Sequence, residues 1–215
     1  MIIVHHLLDS RSNRILWLLE ELGVPYRVEV YARDPKTRLA PPDLKKIHPL
    51  GKSPVIEDGE VVLAESGPII QYLCGRYGQG RLAPLNPADG TDPQARNWTY
   101  WLHYAEGSVM PLLGMRLLLS RLPEETAGPM KSGFLDPQIA LHMDFWEATL
   151  QQSAWFGGDD FSAADIMMGF PLEIAAQRIG FGSERTASAD FLERIHSRAA
   201  CQAAAKRAAL PETVQ

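Results

Sequence analysis

The stretch from His48 to Leu73 constrains the fold more than any other part of the chain. Pro54 cannot donate to a strand ladder, so it belongs at the first residue or edge of a strand that begins Ser53-Pro54-Val55-Ile56. Asp58-Gly59 predicts a two-residue hairpin turn, whose central positions favour positive φ, and Val61-Val62-Leu63 returns antiparallel. Glu65-Ser66-Gly67-Pro68 then opens a helix running to about Tyr77, with Ser66 as its cap, Pro68 in the first turn and Gly78 at its end. An apolar hairpin therefore feeds a helix N-terminus that carries free N–H groups and a hydroxyl, a place to hold a carboxylate. Glu65 beside it suits an ammonium, so the pair suits an α-amino acid end. The plainer reading is a capped helix with a solvated Glu.

The chain ahead of this stretch reads as strand, helix, strand. Ile2 to Leu7 is rich in β-branched residues. Its neighbours His5 and His6 point to opposite faces of a strand, which argues against a shared metal, and no metal site is expected. Ile15, Leu16, Leu18, Leu19 and Leu22 recur at helical spacing until Gly23 and Pro25, and Tyr26, Val28 and Val30 alternate as a second strand. Such a unit is parallel βαβ. Between strand and helix lies Asp9-Ser10-Arg11-Ser12-Asn13-Arg14. Ser10 or Ser12 caps the helix there; alternatively, a hydroxyl at a helix N-terminus donates a hydrogen bond to a thiolate and makes it a usable nucleophile. A polar loop from Ala32 to Pro42 carries Arg33, Lys36 and Arg38, and a short helix from Pro42 to Ile47 leads to His48, read as structural. The order β-α-β-α-β-β-α over residues 1–79 is that of a thioredoxin-like α/β domain.

Residues 80–91 form a Gly- and Pro-rich linker, and residues 92–215 read as an all-α helical bundle. Asp92-Pro93 starts a long helix through Trp98, Trp101 and Tyr104, where Gly107 and Pro111 should kink or break it. Pro137 to Gln152 and Ser188 to Arg207 give further helices, with Pro171 expected to bend the one between. Ser162-Ala163-Ala164-Asp165 is a capping box with Asp in place of Glu. Trp98, Trp101 and Tyr104 read first as a core stripe.

Charge and cysteine usage narrow the function. Residues 1–80 hold 10 basic and 10 acidic residues and the rest hold 11 and 16, so the net charge of −5 sits in the second half, which argues against a nucleic-acid surface. No apolar run approaches the roughly 20 residues of a membrane span. Met1 to His6 lacks a basic region of the signal-peptide kind, and Cys74 and Cys201 lie far apart with no Cys-x-x-Cys pair, so a reducing cytoplasm is expected.

Lys52-Ser53-Pro54-Val55, followed ten residues after Val55 by Glu65-Ser66-Gly67, resembles the glutathione-binding signature of cytosolic glutathione transferases. The resemblance implies a cis Pro54, a backbone contact from Val55 to the cysteinyl part of glutathione, and Glu65 and Ser66 at the γ-glutamyl end. It implies Lys52, in preference to Arg33, Lys36 or Arg38, at the glycyl carboxylate, with Ser53 in the same segment. In the serine-type members the catalytic serine follows the first strand, four residues before an arginine; here that is Ser10 with Arg14, and Ser12 is the runner-up. The Ser162-to-Asp165 element and Arg198-Ala199-Ala200-Cys201-Gln202 also resemble segments of this family, the latter with alanine for its proline. Trp101, Tyr104 and Met110 are then candidates for a wall of the second-substrate site. The implied function is attack of an activated glutathione thiolate on a small hydrophobic electrophile in a homodimer, with glutathione as co-substrate and no cofactor. A glutathione-dependent peroxidase or dehalogenase, and a non-catalytic binding protein, are the alternatives.

Overall fold

The computed structural model describes residues 1–209. Its contacts divide the chain into two units: residues Met1–Ala83 with the chain from His196 onward, and Pro84–Ile195.

The first unit runs β1 (Ile2–Leu7), α1 (Asn13–Leu22), β2 (Tyr26–Tyr31), α2 (Leu44–Ile47), β3 (Val55–Asp58), β4 (Val61–Ala64) and α3 (Ser66–Tyr77). One sheet has the order β2-β1-β3-β4. β1 is parallel to β2 and antiparallel to β3, and β3 is antiparallel to β4, giving the expected thioredoxin-like arrangement. The apolar stripe of α1, Ile15, Leu16, Leu18, Leu19 and Leu22, is buried, each side chain contributing about 1.5–3 kcal/mol before entropic costs. Gly23 ends the helix at φ 66°, where its N–H reaches back to the Glu20 and Leu19 carbonyls.

The hairpin differs from its expectation by one residue. Asp58 pairs with Val61, so the turn is Gly59-Glu60 rather than Asp58-Gly59. The Asp58 carboxylate accepts hydrogen bonds from Tyr72 Oη at 2.9 Å and Tyr77 Oη at 2.5 Å, both on α3, which keeps Asp58 in the strand. Gly59 takes the positive φ, 63°, at the first turn position.

The expected division runs the helical domain over residues 92–215, of which 210–215 lie outside the described residues. α10 (Ala199–Ala208) belongs to the first unit because it is clamped to α1. Arg198 meets Glu21 with Nε at 2.6 Å and Nη2 at 2.9 Å. Arg207 meets Glu20 at 2.9 Å and lies 4.7 Å over the Tyr26 ring. Bidentate and stacked arginines hold more firmly than a single ion pair.

The second unit is helical: α4 (Pro93–Tyr104), a π-helical turn (Ala105–Val109), α5 (Met110–Leu119), α6 (Glu124–Met130), a second π-helical turn (Lys131–Leu135), α7 (Asp136–Gln152), α8 (Ala163–Arg178) and α9 (Thr186–Ser197), whose end passes into the first unit. The irregularity expected at Gly107 and Pro111 takes the form of a π-helical turn, with Pro111 in the first turn of α5, where a missing N–H costs little. The capping box of α8 is present. Ser162 Oγ accepts from Ala164 N at 3.2 Å, and Asp165 accepts from Ser162 N at 2.8 Å and Phe156 N at 2.7 Å. Glu147 of α7 caps α9 from outside, accepting from the N–H groups of Ala187 and Ser188 at 2.9 Å and from Ser188 Oγ at 2.8 Å.

Candidate functional site

Sheet register brings three segments of the first unit to one end of the sheet. Val55 pairs with both His5 and Ala64. The residues just before Val55, just after Ala64 and beyond the end of β1 therefore share an edge. These are Ser53-Pro54, Glu65-Ser66 and the loop that carries Ser10. The sequence singled out all three. Their convergence requires β1 to run between β2 and β3, which no local motif specifies.

Ser53 ties the second segment to the first. Its Oγ accepts from Leu7 N at 3.2 Å and donates to the His5 carbonyl at 2.8 Å, and the Ser53–Pro54 bond is cis, as the resemblance implied. The Ser53 hydroxyl is thus spent on β1. Val55 lies within the sheet between β1 and β4, so its backbone N–H and C=O belong to the ladder. Ser53, ahead of the strand, is the residue whose backbone lies outside it.

Glu65 stands at the head of α3 with φ 75° and ψ 129°, a backbone conformation that costs a non-glycine residue about 1–3 kcal/mol. Ser66 is the first residue of the helix and not its cap, and no side chain caps α3. The first N–H groups of the helix and its positive end are therefore available to an anion. Glu65 is exposed, while Ser66 is buried.

The loop after β1 is braced rather than free. Arg33 donates from Nε to the Leu8 carbonyl, from Nη2 to the Asp9 carbonyl and from Nη1 to the Arg38 carbonyl, each at 2.9 Å. Arg38 pairs with the Asp9 carboxylate at 2.8 Å. These two arginines, considered above for a ligand carboxylate, are spent on holding the loop. Lys36 and Lys52 are exposed and make no side-chain hydrogen bond or ion pair among the described residues.

Ser10 and Ser12 behave differently from two cap candidates. Ser12 occupies the N-cap position of α1, yet its side chain makes no cap bond. Its hydroxyl lies 2.8 Å from His6 Nδ1 and 2.7 Å from Ser10 Oγ, and its N–H donates to Ser10 Oγ at 3.3 Å. His6 Nε2 lies 3.1 Å from the Ala208 carbonyl. Ser12 is 0 % exposed and His6 1 %, whereas Ser10 is 7 % exposed. Of the two serines, only Ser10 has surface to offer a ligand. Sequence patterns reach His6 only as a possible metal ligand. The signal for it was a histidine on the strand that delivers the serine loop. His5, on the other face, meets Tyr31 Oη at 2.9 Å and Glu57 at 2.7 Å.

Cys74 does not compete for the chemistry at this edge. Burial pushes the Cys74 thiol up to about 12, so Cys74 stays a protonated core residue.

Trp101, Tyr104 and Met110 lie in the core of the second unit, none more than 7 % exposed. Trp101 donates to Asn97 Oδ1 at 3.1 Å and packs on Phe145 and Phe156 at 5.4 and 4.6 Å. Tyr104 Oη accepts from Trp146 Nε1 at 3.1 Å and bonds His142. Trp101 and Tyr104 join Trp98 in the buried stripe of α4, and Met110 begins α5.

Comparisons with known proteins agree with this geometry. The family model described as the glutathione S-transferase N-terminal domain matches residues 10–76. The chain is 34 % identical to glutathione S-transferase 3 of Schizosaccharomyces pombe, over 96 % of this chain and 88 % of that one. It is 36 % identical to glutathione S-transferase 1 of Saccharomyces cerevisiae, over 81 % of each. Among solved structures, a glutathione S-transferase from Actinobacillus pleuropneumoniae superposes with a TM-score of 0.84 at 31 % identity, covering 97 % of this chain and 93 % of that one. With the relatives spanning nearly all of it and the family model lying on the segments that carry the site, the chain belongs to the glutathione S-transferase family.

Proposed function

We propose that glutathione lies along the shared sheet edge, with its γ-glutamyl end at Glu65, Ser66 and the N-terminus of α3. Its cysteinyl backbone then meets Ser53 beside Pro54, its glycyl carboxylate meets Lys52, and its sulfur meets Ser10. The carrying observation is the convergence of Ser10, Ser53-Pro54 and Glu65-Ser66, with Ser10 the serine that has exposed surface. The γ-glutamyl end carries an ammonium and a carboxylate on one carbon, which the Glu65 carboxylate and the open helix end complement. A hydrogen bond to the sulfur favours the thiolate, the reactive form.

As a member of this family the protein is a glutathione transferase, and glutathione is its co-substrate. We assign the thiolate a small hydrophobic electrophile, the chain a homodimer, and the protein a place in the cytoplasm. Neither Cys74 nor Cys201 forms a disulfide, which supports the last. Among the described residues no helix is long and apolar enough to cross a membrane. The half-exposed Val61 and Val62 on the edge strand β4 support a partner surface. The test is turnover of glutathione with aryl halides, epoxides and hydroperoxides, alongside light scattering for mass. Conjugation of at least one class by a dimer is expected. A monomer contradicts the assembly, and saturable glutathione binding without turnover of any class contradicts the assigned chemistry.

A further inference from the structure

We propose that His6 is the proton acceptor for the glutathione thiol, reached through Ser12 and Ser10. The inference rests on the reading that Ser10 meets the sulfur.

The direction of each hydrogen bond follows from the end of the chain. The Ala208 carbonyl can only accept, so His6 Nε2 carries a hydrogen. In the neutral imidazole Nδ1 is then an acceptor, and Ser12 must donate to it at 2.8 Å. The alternative acceptor for Ser12, the Leu7 carbonyl, is 3.5 Å away, beyond a normal O–H···O bond. A hydroxyl has one proton, so the proton between Ser12 and Ser10, 2.7 Å apart, belongs to Ser10. At rest, Ser10 therefore turns its proton inward and presents a lone pair to the ligand.

A lone pair accepts an S–H but does not stabilise S⁻. Both are satisfied if each proton moves one place inward. The S–H bond breaks and its proton forms a new O–H bond on Ser10. The former Ser10 proton passes to Ser12 Oγ, and the former Ser12 proton passes to His6 Nδ1. The result is a thiolate accepting from Ser10, Ser10 accepting from Ser12, and an imidazolium donating to Ser12 and to the Ala208 carbonyl. Net charge is unchanged, a thiolate and an imidazolium replacing two neutral groups, and each hydrogen bond from the sulfur to His6 Nδ1 survives with its direction reversed. If the proton left for water instead, Ser10 would have to turn its proton to the sulfur, leaving two oxygens 2.7 Å apart with none between them.

The surroundings of His6 fit a base that is neutral at rest. Burial lowers its pKa, while the Ala208 carbonyl and the Asp9 charge act in the opposite sense. Ala208 ends α10, and the negative end of a helix favours an imidazolium. Of the other charged residues on the elements around it, Arg11 and Arg14 stand at the start of α1, Glu20 and Glu21 near its end, Arg27 and Glu29 on β2, Glu57 and Asp58 on β3, and Lys206 and Arg207 on α10, with Arg207 paired to Glu20. The hydrogen bonds of His6 go to Ser12 and Ala208.

The decisive test counts protons. Wild-type protein is mixed with glutathione near pH 7 in weak buffer, with thiolate absorbance and a pH indicator followed together. The proposal expects thiolate to form with far fewer than one proton released per thiolate. His6→Gln and Ser12→Ala should each raise the thiol titration midpoint by about one unit, a tenfold loss of thiolate at neutral pH. Each should then release one proton per thiolate, with glutathione affinity unchanged. Ser12→Thr, which keeps the hydroxyl, should restore the wild-type behaviour. One proton released per thiolate by the wild type overturns the relay while leaving Ser10 at the sulfur. Binding of glutathione with no thiolate at all overturns the Ser10 reading and the relay together. The wild-type count needs no variant to fold.

Discussion

Ser12 and Ser162 each take the N-cap position of a helix, and they are used in opposite ways. At α8, Ser162 and Asp165 turn back on their own backbone: the Ser162 hydroxyl takes the Ala164 N–H, and Asp165 takes the N–H groups of Ser162 and Phe156. The cluster is closed, and all its bonds hold the fold. At α1, Ser12 occupies the same N-cap position, yet its hydroxyl leaves the helix and joins a line from Ala208 through His6 to Ser10. That line is open at Ser10. A serine that ignores its nearest backbone donors is the local rule broken, and such breaks are expected where a site rather than the fold sets the geometry.

This contrast predicts which substitutions touch stability and which touch chemistry. The largest effect belongs to the closed cluster. Asp165→Ala leaves the Phe156 and Ser162 N–H groups without their acceptor and should cost roughly 3 kcal/mol of unfolding free energy. Denaturant melts should record it, and the thiol pKa of bound glutathione should stay put; a shift in that pKa would blur the division. Ser10→Ala should do the reverse, lowering kcat/KM by about 10²-fold, as loss of a single positioned donor does. Glutathione affinity and melting should change little, as titration calorimetry and thermal scans would record; a fall in melting temperature as large as that of Asp165→Ala would place Ser10 with the structural serines.

Glu65→Ala should weaken glutathione binding by roughly 2 kcal/mol with kcat at saturation nearly kept, since it removes a contact to an end of the ligand. Calorimetry with an unchanged Kd would remove Glu65 from the site. The smallest effect is a pH slope in stability. His6 has a lowered folded pKa, so the unfolded chain takes up its proton first as pH falls through about 6.5, and stability is lost below that point. Asp165, pushed up to about 7 by burial, works in the other sense: its contribution is full below its unfolded value and is lost as pH rises toward 7. Melts across this range should lose the first slope in His6→Gln and the second in Asp165→Asn. Slopes that survive both substitutions would assign the pH dependence to other groups.

Local patterns carried most of the fold. The stripe of α1, the strand at Ile2–Leu7 and the Ser162–Asp165 cap each depend on neighbours a few residues away, and each was legible. What the sequence did not disclose depends on distant partners. The turn at Gly59-Glu60 is displaced because Tyr72 and Tyr77 of a later helix hold Asp58 in the strand. α10 joins the first unit because Arg198 and Arg207 find glutamates nearly the whole chain length away. The same holds at the site. Ser10, Glu65 and Ser66 were visible through a motif, but the role of His6 requires the end of α10 to reach β1, and the commitment of Ser53 to β1 requires the sheet order. Arg33 and Arg38 read as cations for a ligand until their donors are seen on the Leu8 and Asp9 carbonyls and the Asp9 carboxylate.

The central claim, that the open serine line activates a thiol at Ser10, is tested most directly by a pH titration of the thiolate absorbance of bound glutathione. An unassisted cysteine thiol titrates near about 8.5. The account predicts a midpoint at least about one unit lower in the wild-type complex, equivalent to about 1.4 kcal/mol of thiolate stabilisation, and its return toward the unassisted value in Ser10→Ala. A wild-type midpoint no lower than that of free glutathione, or one that Ser10→Ala leaves unchanged, would contradict it.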